Sequence, residues 1–283
     1  MTPVVSVRGL TKSYGEFEAL KGIDFELRAG EVFGLLGPNG AGKTTTIEIL
    51  EGYRKRDAGD AEVLGVDPAT AGPDWRGRIG VVLQSSAMYE NLTVEEQLAQ
   101  FAGYYEHPRP VDDVIELIGL DEKRGTRARR LSGGQRRRLD LGLALIGDPE
   151  LIFLDEPTTG FDPGARRRAW ETIRSLRALG KTILLTTHYL DEVEQLADRV
   201  AVLREGRIVA SGTVQELVGG GPATEIRYRR NGEVVVVETD EPTRVLHELT
   251  AEAMRRGQEL DGLEVRRPSL EEVYLSLTQA DPE

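Results

Sequence analysis

The chain has no cysteine among its 283 residues, which excludes disulfides and thiolate-metal sites and permits a reducing compartment. It has no stretch approaching the roughly 18 consecutive apolar residues of a membrane-spanning helix. Its opening residues, MTPVVSVRGL, lack the basic-then-apolar order of a secretory signal. The expectation is a cytoplasmic protein that borrows any membrane role from a partner. An excess of positive charge is missing too. A formal net charge of -12 argues against generic nucleic-acid binding, which uses a basic face to release counterions from phosphates. What is present is a globular balance, 39% hydrophobic and 30% charged, which is enough to bury one large core and an appendage. No internal repeat is visible.

Short apolar runs alternate with segments of helical spacing. Residues 4–7 and 23–27 read as strands, and 32–36 as a strand buried on both faces that leads through a glycine-rich loop into a helix over 43–50. Residues 79–83 form another buried-strand candidate, followed by helical patterns at 93–104 and 111–118. A buried helix at 139–146 and a strand at 151–154 ending in acids come next. Helices at 164–179 and 190–197 and strands at 182–186, 200–203 and 207–210 complete an alternating α/β pattern with a largely parallel sheet. Val218-Gly219-Gly220-Gly221-Pro222 reads as a linker. It divides residues 1–218 from a small domain over 222–283. There, strand-like runs at 225–229 and 233–237 flank Asn231-Gly232, a tight hairpin signature. Leu270, Val273, Tyr274 and Leu277 at i, i+3, i+4 and i+7 predict a final amphipathic helix.

Gly37-Pro38-Asn39-Gly40-Ala41-Gly42-Lys43-Thr44-Thr45 satisfies the Walker A pattern after a strand and at the opening of a helix. The glycines let backbone N–H groups turn inward as an anion nest, and the helix N-terminus adds its positive end. Lys43 is placed to neutralise outer phosphates, and Thr44 to offer a hydroxyl to Mg²⁺. The expected ligand is a nucleoside triphosphate. Leu151-Ile152-Phe153-Leu154-Asp155-Glu156 sets Asp155 where a buried strand meets those phosphates. Consecutive residues of an extended backbone point to opposite sides, so Asp155 serves the metal and Glu156 is free to orient or deprotonate water. Leu131-Ser132-Gly133-Gly134-Gln135 precedes another helical pattern and makes a second anion site. One nucleotide needs one phosphate loop, so two half-sites suggest a shared, dimeric site.

Walker A, LSGGQ and LDEP in this order resemble the ATP-binding-cassette family over about residues 4–215. The resemblance implies a P-loop nucleotide-binding domain: a RecA-like core with a mainly parallel sheet, an N-terminal antiparallel β subdomain and a helical subdomain at about 86–140. The small α+β domain follows it. It also implies MgATP as cofactor, hydrolysis as activity, and a second copy packed head to tail, with each ATP between one Walker A and the other LSGGQ. Gln84 is similar to the Q-loop glutamine that touches Mg²⁺ and water. His188, in Thr186-Thr187-His188, is similar to the switch histidine at the γ-phosphate. Asp162 is similar to the D-loop aspartate, with Phe161 where leucine is usual, and Tyr14 to the aromatic that stacks on adenine.

The run Arg124, Arg127, Arg129, Arg130, Arg136, Arg137 and Arg138 has no interleaved aromatics, and it reads as a solvated face with local ion pairs rather than a nucleic-acid patch. The tail Arg267-Pro268-Ser269-Leu270-Glu271-Glu272-Val273-Tyr274 resembles the endings of drug- and lipid-exporter ATPases of the daunorubicin-resistance type. The expectation is therefore an export motor with integral-membrane permease partners, docked through the helical insert around residues 88–102. Two other readings stay open at this point. One is a non-transport ATPase acting on nucleic acid or ribosomes, and the other is a switch that dimerises on ATP without hydrolysis.

Overall fold

A computed structural model describes residues 2–82, 89–219, 224–230, 233–266 and 269–279. Leu83, Gln84, Met88, residues 220–222, Asn231, Gly232, Arg267 and Pro268, all used in the reading above, lie outside them. The chain forms two compact units that divide between Ser211 and Gly212.

The first unit begins with β1 (Val5–Tyr14) and β2 (Phe17–Leu27), both longer than the runs read from sequence, then β3 (Val32–Leu36), α1 (Lys43–Leu50), β4 (Ala58–Val63), α2 (Pro73–Gly77) and β5 (Ile79–Val82). The helical part follows as α3 (Val94–Ala102), α4 (Val111–Leu117) and α5 (Gly133–Leu145). Next come β6 (Leu151–Asp155), α6 (Pro163–Ala178), β7 (Thr182–Thr187), α7 (Leu190–Leu196), β8 (Arg199–Arg204) and β9 (Arg207–Gly212). Strands β2, β1 and β4 make an antiparallel sheet in that order. The main sheet runs β5-β6-β7-β3-β8-β9, and its pairs β5–β6, β6–β7, β7–β3 and β3–β8 are parallel.

Every residue of β3, β6 and β7 is buried. That is what unbroken apolar runs such as Val32–Leu36 require, because helices or another sheet must cover both faces of a parallel sheet. One face packs on the antiparallel sheet through residues such as Phe33, Phe153 and Leu184. The other packs on the helical part through Ile152, Leu154 and Leu185 together with Leu98, Val114 and Leu139. Helices α3 and α5 each start in a capping box, Thr93 with Glu96 and Ser132 with Gln135. Because β6, β7 and β3 are neighbours, their C-terminal ends stand side by side, with Asp155 opposite Thr186 and Leu36 opposite Thr187. Three loops with chemistry in them therefore leave the sheet at one edge.

The second unit contains α8 (Val214–Gly219), β10 (Thr224–Arg230), β11 (Glu233–Thr239), α9 (Pro242–Arg255), β12 (Asp261–Arg266) and α10 (Leu270–Gln279). Its antiparallel sheet has the order β11-β10-β12, with Ile226 and Tyr228 buried on the central strand. The division falls earlier than the expected 218/222. The stretch before the glycines is a helix, capped by reciprocal bonds between Thr213 and Glu216 (2.7 and 3.1 Å) and packed on α10. Ser269 and Glu272 cap α10 in the same way (2.9 and 3.2 Å), so the Ser-Leu-Glu of the tail is a helix start.

Phe153 is fully buried in the middle of β6 and touches the core on the antiparallel-sheet side. Phe153→Ala is expected to lower unfolding free energy by about 3–5 kcal/mol, measured by urea denaturation of the purified chain.

Candidate nucleotide site

The loop leaving β3 is shaped for close approach by an anion. Gly40 and Gly42 have φ of 81° and 111°, in the left-handed region that glycine adopts freely. A Cβ on Gly37 would lie 2.3 Å from the Leu203 carbonyl oxygen, so no larger residue fits there. Helix α1 starts at Gly42 with no side chain accepting from its first-turn N–H groups, which leaves its positive end for a ligand. Lys43 is only 4% exposed and folds back over the loop. Its Nζ donates to the carbonyls of Gly37 (2.8 Å) and Pro38 (3.1 Å) and lies 3.2 Å from Glu156 Oε1.

The end of β6 supplies the acids. Asp155 Oδ2 accepts from Thr44 Oγ1 at 3.1 Å, and Asp155 Oδ1 accepts from Thr186 Oγ1 at 2.5 Å. A hydroxyl and a carboxylate thus meet at the phosphate loop as oxygen donors of the kind Mg²⁺ takes alongside phosphates and water. Among the described residues no cluster of three or more His, Asp or Glu side chains could hold a metal by itself. Glu156 follows the end of β6 with φ 47°, so it is not part of the extended alternation expected of it, and its side chain meets Lys43 and His188. For a residue with a Cβ this conformation costs on the order of 1–3 kcal/mol and persists only when its surroundings enforce it. Its N–H donates to the Thr186 carbonyl (3.2 Å) and hydroxyl (3.0 Å), and its Oε2 accepts from Thr159 Oγ1 (3.1 Å). Burial pushes the Glu156 carboxyl up, but Lys43, His188 and the Thr159 hydroxyl outweigh it and hold it below the usual carboxylate range. It is ionised at neutral pH.

His188 follows β7 and places Nδ1 3.4 Å from Glu156 Oε1. Asp162 caps α6 by accepting from Ala165 N at 2.9 Å, and its carboxylate is held low by that backbone bond. Tyr14, 40% exposed at the end of β1, has its hydroxyl 3.4 Å from Thr45 Oγ1 and the Arg54 guanidinium 5.0 Å from its ring centroid. The structure therefore brings Lys43, Thr44, Thr45, Asp155, Glu156, His188 and Tyr14 around one loop. Ser132, Gly133, Gly134 and Gln135 line a different cavity with Glu156 and Asp162, to which none of residues 37–45 contributes. Gln84 lies outside the described residues.

Contacts between strands supplied what the motifs do not spell. Thr186 bonds both the Asp155 carboxylate and the Glu156 N–H. Glu192, fully buried on α7, accepts from Thr158 Oγ1 (2.9 Å) and Trp170 Nε1 (3.2 Å) and so holds the loop after Glu156 against α7. A buried acid in the helix after His188 was the available signal. The arginine run is only partly the ion-paired face expected. Arg124 pairs with Asp112 and Glu95, but Arg136, Arg137 and Arg138 donate to backbone carbonyls of Arg129, Asp155 and Ile118, and the last two are half-buried.

Residues 20–159 match the ABC transporter family, and residues 218–269 match the C-terminal domain of ABC transporter domain-containing protein-like chains. The chain is 38% identical to the daunorubicin resistance ATP-binding protein DrrA3 of Streptomyces coeruleorubidus, over 98% of this chain and 96% of that protein. It is 40% identical to the Nod factor export ATP-binding protein I of Rhizobium meliloti (strain 1021), over 98% of this chain and 88% of that one. The ADP conformation of an ATP-binding cassette of an ABC transporter superposes with a TM-score of 0.68 at 28% identity, covering 76% of this chain and 93% of that one. The fold and site define a P-loop ATPase, and the chain belongs to the ABC transporter ATPase family. Its cofactors are ATP and Mg²⁺, and its activity is ATP hydrolysis.

One acid nearby is out of balance. Glu51, just past α1, has a buried Oε2 with no hydrogen-bond partner, and its pKa is raised to about 7 by burial, then by Glu48 and Asp155. The folded chain keeps this proton to higher pH than the unfolded chain, which releases it near 4.5, so stability falls as pH rises from about 4.5 through about 7. Glu51→Gln is expected to raise the thermal midpoint over the parent at pH 8 and to leave it nearly unchanged at pH 5, measured by calorimetry.

Proposed function

We propose that the chain is the motor subunit of an exporter, two copies closing head to tail on two MgATP and driving a separate integral-membrane permease. The observation that carries this reading is the separation of the two anion-binding ends. The cavity beside Ser132, Gly133 and Gly134 has no contribution from residues 37–45. A phosphate bound there is best supplied with the phosphate loop of a second copy. The described residues include no helix long and apolar enough to cross a membrane, and in this reading the chain sits beside a separate permease on the cytoplasmic face. The helical part around α3 is where we place that contact. The similar proteins named for daunorubicin resistance and Nod factor export support an exporter of drugs, antibiotics or lipid-like compounds. Nothing favours nucleic acid as a partner, since three arginines of the basic run are committed to carbonyls within the chain.

In this assembly the nest from Gly37 through Gly42, with Pro38, Asn39 and Ala41, seats the phosphates, and Lys43 with Thr45 binds them. Thr44, Asp155 and Gln84 hold Mg²⁺, whose charge when bound offsets that developing on the phosphates. Glu156, ionised and fixed at its backbone, accepts a hydrogen bond from the attacking water and takes its proton. His188, 3.4 Å from that carboxylate, contacts the γ-phosphate. Tyr14 stacks on the adenine. Ser132, Gly133, Gly134, Gln135 and Asp162 of the other copy close the site.

Glu156→Gln is expected to keep ATP binding, lose about 100-fold or more of turnover, and accumulate an ATP-bound dimer on size-exclusion chromatography. Full turnover in that variant would remove Glu156 from the mechanism. Lys43→Ala should instead weaken ATP binding by about tenfold or more, because a charge-assisted contact is lost; equilibrium titration with a fluorescent ATP analogue measures it.

A further inference from the structure

The strained backbone at Glu156 is held from two sides. Its N–H is fixed by Thr186 of β7. The carbonyls flanking it, those of Asp155 and Pro157, both accept from one side chain, Arg137, through Nη2 at 2.9 Å and Nε at 3.4 Å. Arg137 lies on α5, the helix that begins at Ser132. A helix moves as a rigid body over so short a span, and a guanidinium is a planar fork whose donors keep fixed spacing. A shift at the start of α5 is therefore carried to the peptide that enters Glu156 and to the one that leaves Pro157, which bracket the backbone that aims the Glu156 carboxylate. Burial disfavours the charge on Arg137 and pushes its pKa down, and the two carbonyls are among the partners that meet the half-buried guanidinium.

We propose that Arg137 is a positioning residue that ties the aim of Glu156 to the seating of residues 131–135. Hydrolysis at a chain's own phosphate loop then depends on whether its Ser132 end has engaged the nucleotide of the other copy. This inference rests on the two-copy reading above. It gives the residue between the two half-sites a task that neither half-site describes: communication between the two ATP molecules within one polypeptide.

The test uses the full chain and two variants, Arg137→Gln and Arg137→Lys, with turnover followed against ATP concentration. For the parent, a Hill coefficient above 1 is expected. For Arg137→Gln, kcat should fall by about tenfold or more with half-saturation within about twofold and a Hill coefficient near 1. Arg137→Lys keeps the charge but cannot bridge both carbonyls, so it should keep the parent's thermal midpoint while the Hill coefficient falls to near 1. A parental Hill coefficient of 1, or parental kcat and Hill coefficient in Arg137→Lys, overturns the proposal. So does a kcat loss in both variants that only follows a lowered midpoint. Each substitution is repeated in the Glu156→Gln background with ATP on size-exclusion chromatography. If the dimer forms and the Hill coefficient is unchanged, the inference alone fails; if no dimer forms even with Arg137 present, the two-copy reading fails and takes the inference with it.

Discussion

An acid at the end of a strand buried along its whole length must be matched by a partner or a cation, and most of the nucleotide site follows from how β6 meets that demand. Asp155 is matched by hydroxyls from two directions, Thr44 from α1 and Thr186 from β7. Glu156 is matched by Lys43. These contacts exist only because the crossovers of the sheet make β6, β7 and β3 neighbours with their ends level. The central sheet thus acts less as a core than as a jig, holding a phosphate loop, a metal-compatible acid and a histidine-bearing loop at one edge. Burial has a second effect. With β3 and β6 covered on both faces, sideways motion of one strand end against its neighbour would disturb close-packed side chains on two layers, so packing holds the acids in a chain with no cysteine for a disulfide.

The two ends of α6 and α7 add a layer to this frame. Thr158, Glu192 and Trp170 join the loop after Glu156 to both helices, and Arg166 lies over Tyr189, the residue after His188, at 4.3 Å from its ring centroid. The loop after Glu156 and the loop carrying His188 are consequently braced against the same pair of helices.

Much of the first unit was legible because its signals are local. An apolar run, a glycine-rich loop and a helical pattern in series locate β3 and α1 to the residue, whereas the left-handed turn at Glu156, which ends the extended chain at Asp155, left no mark in the sequence pattern. Strand β4 and helix α2 escaped because β4 is mostly exposed and α2 is five residues long. The second unit was less legible for the same reason. Strand β12 is exposed along its length, so it carries no burial pattern, and α8 hides its capping pair, Thr213 and Glu216, beside glycines that read as a linker. Thr186 and Arg137 were illegible in a stricter sense. Their partners are 31 and 18 to 20 positions away in sequence, and only the sheet order and the docking of α5 bring them together. An arginine within a basic run gives no sign that it is turned inward.

The two helix ends that face phosphate differ in one respect. Helix α1 leaves its first N–H groups without a side-chain acceptor, whereas α5 is closed by Ser132 and Gln135, each bonded to the other's backbone (3.3 and 2.9 Å). At α5 the N–H groups of Ser132 and Gln135 are already taken by the cap, while at α1 no first-turn N–H is taken by a side chain. Of the two helix starts, α1 therefore keeps more of its donors open to an anion, and α5 has spent part of its own on holding the shape of its first turn.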